Sequence, residues 1–138
     1  MRNIFTLLLL TLLLTACLSS LQLAPKQDKV SEGFSEAMRW SDFQGAAAYV
    51  NLRVRGAFME QFQEDDDLHI VDSSILSIDL GEDKERVDSA YVMEYYRLPS
   101  SKIKKWRWQQ QWRLIKGKDS DSGTWLIDNE PPPLPWRE

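Results

Sequence analysis

Residues 102–118, KIKKWRWQQQWRLIKGK, decide the fold of this chain. Trp106, Trp108, Trp112 and Leu114 share one parity, and Lys105, Arg107, Gln109, Gln111 and Arg113 share the other. Successive side chains of a β-strand point to opposite faces, so this alternation describes a strand with one face on a core and the other on water. Tryptophan among Lys and Arg also occurs on nucleic-acid platforms, but there the aromatic and cationic groups share a face. Here the pleat separates them. A formal net charge of −4 also argues against a nucleic-acid partner.

Reading outward, residues 87–98 form a second strand, apolar on both registers through Ala90, Val92 and Tyr96 and through Tyr91, Met93 and Tyr95. Before it, Leu76, Ile78 and Leu80 alternate with Ser77 and Asp79, and Gly81-Glu82-Asp83-Lys84 supplies a polar turn. After it, Pro99-Ser100-Ser101 turns the chain into the tryptophan strand. Residues 117–123 make a further turn, and Trp125-Leu126-Ile127 opens a fourth strand. Upstream the period changes to that of a helix. Phe34, Ala37 and Met38 form one apolar face. Ser41 and Gln44 have the spacing of a capping box, so a second helix starts at Asp42 and turns Phe43, Ala46, Ala47 and Val50 inward. Asn51 caps a third helix with Val54, Ala57, Phe58 and Phe62 on one side, and the acids of Glu64-Asp65-Asp66-Asp67 end it, since negative charge opposes the dipole there. Helices followed by an antiparallel meander predict an α+β domain with its helices packed on one face of a sheet of about four strands.

Chemistry is sparse. The single histidine, His69, lies three residues from Asp72, and on a regular strand the two point to opposite faces, which excludes a dyad unless a bulge intervenes. Glu94 is either a buried carboxylate available as an acid or base, or the ladder partner of a third-strand cation. Asp65-Asp66-Asp67 lacks the alternate oxygens and glycine of a calcium loop and reads as a solvated turn. There is no P-loop, dinucleotide fingerprint or Gly-x-Ser-x-Gly, and no cofactor is implied.

Trp40-Ser41-Asp42-Phe43 leading into Ala46-Ala47, then Gln111-Trp112, and finally Gly123-Thr124-Trp125-Leu126-Ile127 give residues 30–128 a resemblance to the nuclear-transport-factor-like superfamily. That resemblance implies a cone-shaped α+β domain in which a curved sheet wraps a long helix and leaves a pocket. Here the pocket would be lined by Tyr91, Glu94, Trp106, Trp108 and Trp112. Enzymes of the superfamily use an Asp or an Asp–His pair inside the cone beside tyrosine donors. Fold alone does not carry their activity across.

The amino terminus supplies an address. Met1-Arg2-Asn3 precedes an apolar run from Ile4 to Leu14, too short for a bilayer span of about 20 residues but suited to an export signal. It ends in Leu14-Thr15-Ala16-Cys17, which resembles the lipobox of bacterial lipoproteins. The resemblance implies cleavage after Ala16 and acylation of Cys17, the chain's only cysteine. Leu18 and Ser19, in place of the aspartate that retains many such proteins at the inner membrane, imply an outer-membrane anchor facing the periplasm. Residues 17–29 read as the lipidated cysteine and a flexible linker. The Pro-rich tail, residues 129–138, favours polyproline II geometry. Its Trp136 either docks in a partner's aromatic groove or folds back on its own domain.

The expected role is a lipid-anchored envelope domain that acts by binding, as an accessory or scaffold, with an envelope protein or an anionic envelope surface as partner. Lys105, Arg107 and Arg113 form the candidate face, provided acids of neighbouring strands such as Asp88 and Glu94 leave it unpaired. The rival is a small-molecule carrier or an isomerase- or dehydratase-like enzyme using the cone interior.

Overall fold

A computed structural model describes residues 25–63, 65–118 and 123–137 of the chain. Its elements run α1 (Pro25–Arg39), α2 (Phe43–Ala47), α3 (Leu52–Phe62), β1 (Leu68–Leu80), β2 (Arg86–Arg97), β3 (Lys104–Lys116) and β4 (Gly123–Ile127). The strands form one curled antiparallel sheet in the order β1-β2-β3-β4, the meander expected from the three turns. No described helix is long and apolar enough to cross a membrane.

The α+β class and the packing of helices on the inner face follow the periodicities and the cone-shaped architecture that the resemblance implied. Asn51 caps α3 by accepting from Arg53 N at 3.1 Å, and Val54, Phe58 and Phe62 are buried. The helix stops before the acids, at Phe62. Two helical boundaries differ from expectation. Helix α1 begins at Pro25, inside the stretch read as linker. Proline is tolerated in a first helical turn because its missing N–H has no partner there, and Asp28 complements the dipole. The cap of α2 is Asp42, whose carboxylate accepts from Gly45 N at 2.9 Å. Ser41 cannot cap because it sits in the left-handed region at φ 57° and forms the corner between α1 and α2. The export signal and Cys17 lie outside the described residues.

The pairing Tyr91↔Trp108, Met93↔Trp106 and Val87↔Trp112 puts all three tryptophans on the face that meets the helices. Phe34 of α1 stands at the centre, with ring centroids 5.3 Å from Tyr91, 6.1 Å from Trp108 and 6.2 Å from Trp112. From the third helix, Phe58 stacks on Trp108 at 6.2 Å and Phe62 meets Trp106 at 5.7 Å. Both sheet edges differ from a free ladder only in part. The outer side of β4 is joined to the α2–α3 corner, where Asn51 N donates to Ile127 O and Ile127 N donates to Tyr49 O, each at 2.8 Å. At the other edge, β1 carries two register shifts, between Ile70 and Asp72 and between Ile75 and Ser77.

The face expected to be buried through Leu76, Ile78 and Leu80 is not: these residues are 60%, 40% and 49% exposed. One shift moves the following side chains to the other face and the second moves them back, so Ile78 and Leu80 lie across from Ser89 and Val87 on the inner register. The first half of β1 buries Leu68 and Ser73, and its far end contributes no buried residue.

Candidate functional site

The inner face of the sheet is where the implied pocket would lie, and its lining residues divide cleanly. Tyr91, Trp106, Trp108 and Trp112 are all in the core, with Trp108 1% and Trp112 0% exposed. Glu94 is not among them. It lies on the opposite register and pairs with Lys105 across the ladder, Nζ to Oε1 at 2.9 Å, which settles its two readings in favour of the cation partner. Such a surface pair contributes ~0–1 kcal/mol.

The same pairing decides the outer basic face. Lys105 is answered by Glu94, and Arg113 by Asp128 at 3.1 Å. Only Arg107 of the three has no ion pair among the described residues. The acid on Arg113 comes from the end of β4, not from Asp88, which meets Arg86 at 3.8 Å. Lys105 is thereby neutralised, and Arg113 shares the single charge of Asp128 with Arg53, whose guanidinium lies 3.1 Å from Asp128 Oδ1.

His69 and Asp72 do come to one face, because the bulge after Ile70 supplies the extra residue: His69 pairs with Tyr96 and Asp72 with Glu94. They still do not form a dyad. His69 stacks flat on Tyr96 at 4.9 Å, and Asp72 accepts from Arg39 at 3.2 Å. Among the described residues no three His, Cys, Asp or Glu side chains gather as a metal site.

Two polar clusters within the core were hidden from the sequence pattern. Gln110 shares the tryptophan register and is fully buried; Trp112 Nε1 donates to Ser89 Oγ at 3.1 Å and to Gln110 Oε1 at 3.2 Å. The second is a hydroxyl relay in which Ser73 Oγ lies 3.1 Å from Ser35 Oγ and 2.7 Å from Tyr91 Oη. It underlies a groove of about 250 Å³ between α1 and β1, with Asp28, Glu32 and Glu36 on its helical side. A helical serine, a strand serine and a strand phenol carry no sequence signal, since each alone reads as a tolerated polar residue.

Burial pushes the Tyr91 phenol well above its ordinary value of 10, partly offset by the Ser73 hydrogen bond. The neutral phenol is therefore the form the fold selects. Its contribution to stability is complete below the unfolded-state pKa and is lost as pH rises beyond it. Urea midpoints of the wild type should fall above about pH 10, with a slope up to ~1.4 kcal/mol per pH unit from this group. Tyr91→Phe should flatten that fall, and equal slopes for the two proteins would show that Tyr91 ionises freely.

The tail folds back. Leu134 is buried and its N–H donates to Gln61 Oε1 at 2.9 Å, while Trp136 Nε1 donates to Asp65 Oδ2 at 2.7 Å and its ring lies 5.2 Å from Tyr95. Leu134 and Trp136, in the stretch read as a separate tail, thus pack on the domain.

No protein-family model and no curated protein matches the chain. Among solved structures, a putative polyketide cyclase from Xanthomonas campestris pv. campestris is similar at 14% identity and TM-score 0.43, over 79% of this chain and 93% of that one.

Proposed function

We propose that this chain is a lipid-tethered binding protein of the bacterial envelope, an accessory or scaffold whose domain works from its surface. The observation that supports binding over catalysis is the occupied interior. Where an enzyme of this shape would hold a carboxylate or histidine, Phe34, Phe58, Trp108 and Trp112 pack ring on ring. The ionisable side chain buried among them is Tyr91, which the fold holds neutral. General acid–base catalysis needs a group that titrates near the working pH, and a phenol raised above its ordinary range does not. On the outer register Glu94 pairs with Lys105, and His69 stacks on Tyr96 with no acid among the described residues beside it as a dyad partner.

The tether rests on Leu14-Thr15-Ala16-Cys17 behind the apolar run. An acylated Cys17 would hold the domain at the membrane, with residues 25–29 of the expected linker belonging to α1. Metabolic labelling with radioactive palmitate in a bacterial host should mark the wild type and leave Cys17→Ser unmarked and unprocessed. Equal labelling of the two would end the lipoprotein reading.

One observation favours the rival. The indole N–H groups of Trp106 and Trp108 are buried and have no hydrogen-bond partner among the described residues. An unpaired buried donor costs about 1–3 kcal/mol, and a small ligand bearing an acceptor would relieve it.

A further inference from the structure

The inner register changes chemistry at the open end of the sheet. Along β2 it reads Tyr91, Met93, Tyr95 and then Arg97. Along β3, read in the same direction, it is Trp108, Trp106 and then Lys104, which pairs with Tyr95. Lys102 continues the parity in the turn. Core aromatics thus give way to cations within one strand repeat. At this mouth the returning tail places Trp136 beside Tyr95, and the resulting pocket of about 290 Å³ is lined by Tyr95, Arg97, Pro99, Lys102, Lys104 and Trp136 among others.

The charges of the pocket are unequal. Arg97 is already answered, since its Nε donates to Asp65 Oδ2 at 3.2 Å and its guanidinium lies 5.4 Å over the Trp136 ring. Lys102 and Lys104 are exposed and have no ion pair among the described residues, and no acid lines the pocket. Two uncompensated ammonium groups therefore stand next to an apolar wall of Tyr95, Trp136 and Pro99, its two rings inclined at 56°, on a chain whose net charge is −4.

We propose that the mouth pocket binds a phosphomonoester carried on a flat apolar group. A phosphomonoester carries about −1.5 to −2 charge at neutral pH and can answer both lysines, where a carboxylate answers one. Lysine binds phosphate as a mobile point charge, which suits two side chains on a turn and a strand end. The aromatic wall gives the flat group a face to stack on and excludes water from it. The volume lies at the lower end of small-molecule sites and fits one ring and its phosphate. The inference does not depend on the tether at Cys17 and stands or falls separately from it.

The test is calorimetric titration of the purified full chain with phenyl phosphate, inorganic phosphate, sn-glycerol 3-phosphate and phenol, each read also by the indole resonance of Trp136. Phenyl phosphate should bind at least about ten times more tightly than the other three, shift the Trp136 signal, and weaken as salt rises. Lys102→Gln with Lys104→Gln should weaken phenyl phosphate by about tenfold or more, while Lys105→Gln, on the outer face, should leave it unchanged. Both lysines are exposed, so the double variant keeps the fold. Glycerol 3-phosphate matching phenyl phosphate would mean that the pocket reads a headgroup-type phosphate without its aromatic wall. Phenol matching it would mean that the charges are idle. Either result, the absence of any binding at millimolar ligand, or unchanged affinity in the double variant would overturn the proposal.

Discussion

Trp108→Ala is expected to destabilise the domain by about 3–5 kcal/mol, the cost of emptying a buried aromatic site. Its neighbour Gln109→Ala should change stability by less than ~0.5 kcal/mol. The two residues are adjacent on β3 and differ only in the face they occupy. Trp108 is 1% exposed and touches Phe34, Phe58 and Trp106, rings supplied by α1, by α3 and by its own strand. Removing it leaves a hole bounded on all sides by rigid aromatic groups that cannot collapse into it, so the cost should fall in the upper part of the range. The Gln109 side chain is exposed, and the hydrogen bond at that position uses its backbone carbonyl, which accepts from Asn129 Nδ2 at 2.8 Å and survives the substitution. Denaturant midpoints measure both. Equal midpoints for the two variants would mean that the sheet presents its other face to the helices.

How much of this was legible in the sequence depends on the length of each periodic signal. The β3 register was readable because four large apolar side chains repeat on one parity, and no helix or bulged strand reproduces that pattern. The third helix was readable for the same reason, with its cap and its terminating acids both marked. Strand β1 was misread at its far end. The second of its two shifts returns Ile78 and Leu80 to the inner register, but the core ends before them, and how far the helices cover a strand is something local pattern does not record. The cap of α2 was displaced by one residue because Ser41 and Asp42 are both good caps and the tight corner after α1 decides between them. The outer cations Lys105 and Arg113 were located correctly, but their pairing required the register of β2 and the position of Asp128. The mouth pocket was out of reach altogether: Lys102 and Lys104 look like flanking charges until Trp136, more than thirty residues later, returns to meet Tyr95.

The central claim is that the interior of the sheet is a closed core and that function lies at its surface. Hydrogen exchange of the indole N–H groups, followed by NMR, tests it at the side chains concerned. Trp40, 73% exposed at the end of α1, is an internal reference that should exchange at once. The Trp112 indole is hydrogen-bonded inside the core, and the Trp108 indole has no hydrogen-bond partner among the described residues, so its protection comes from exclusion of water. In a closed core both exchange only through global opening, with free energies equal to the stability measured by denaturant. Slow exchange of Trp108 at that limit is the predicted result. Exchange of Trp108 orders of magnitude faster than of Trp112, in a fully folded protein, would contradict the account, because it would place water, and hence room for a ligand, at the centre of the cone.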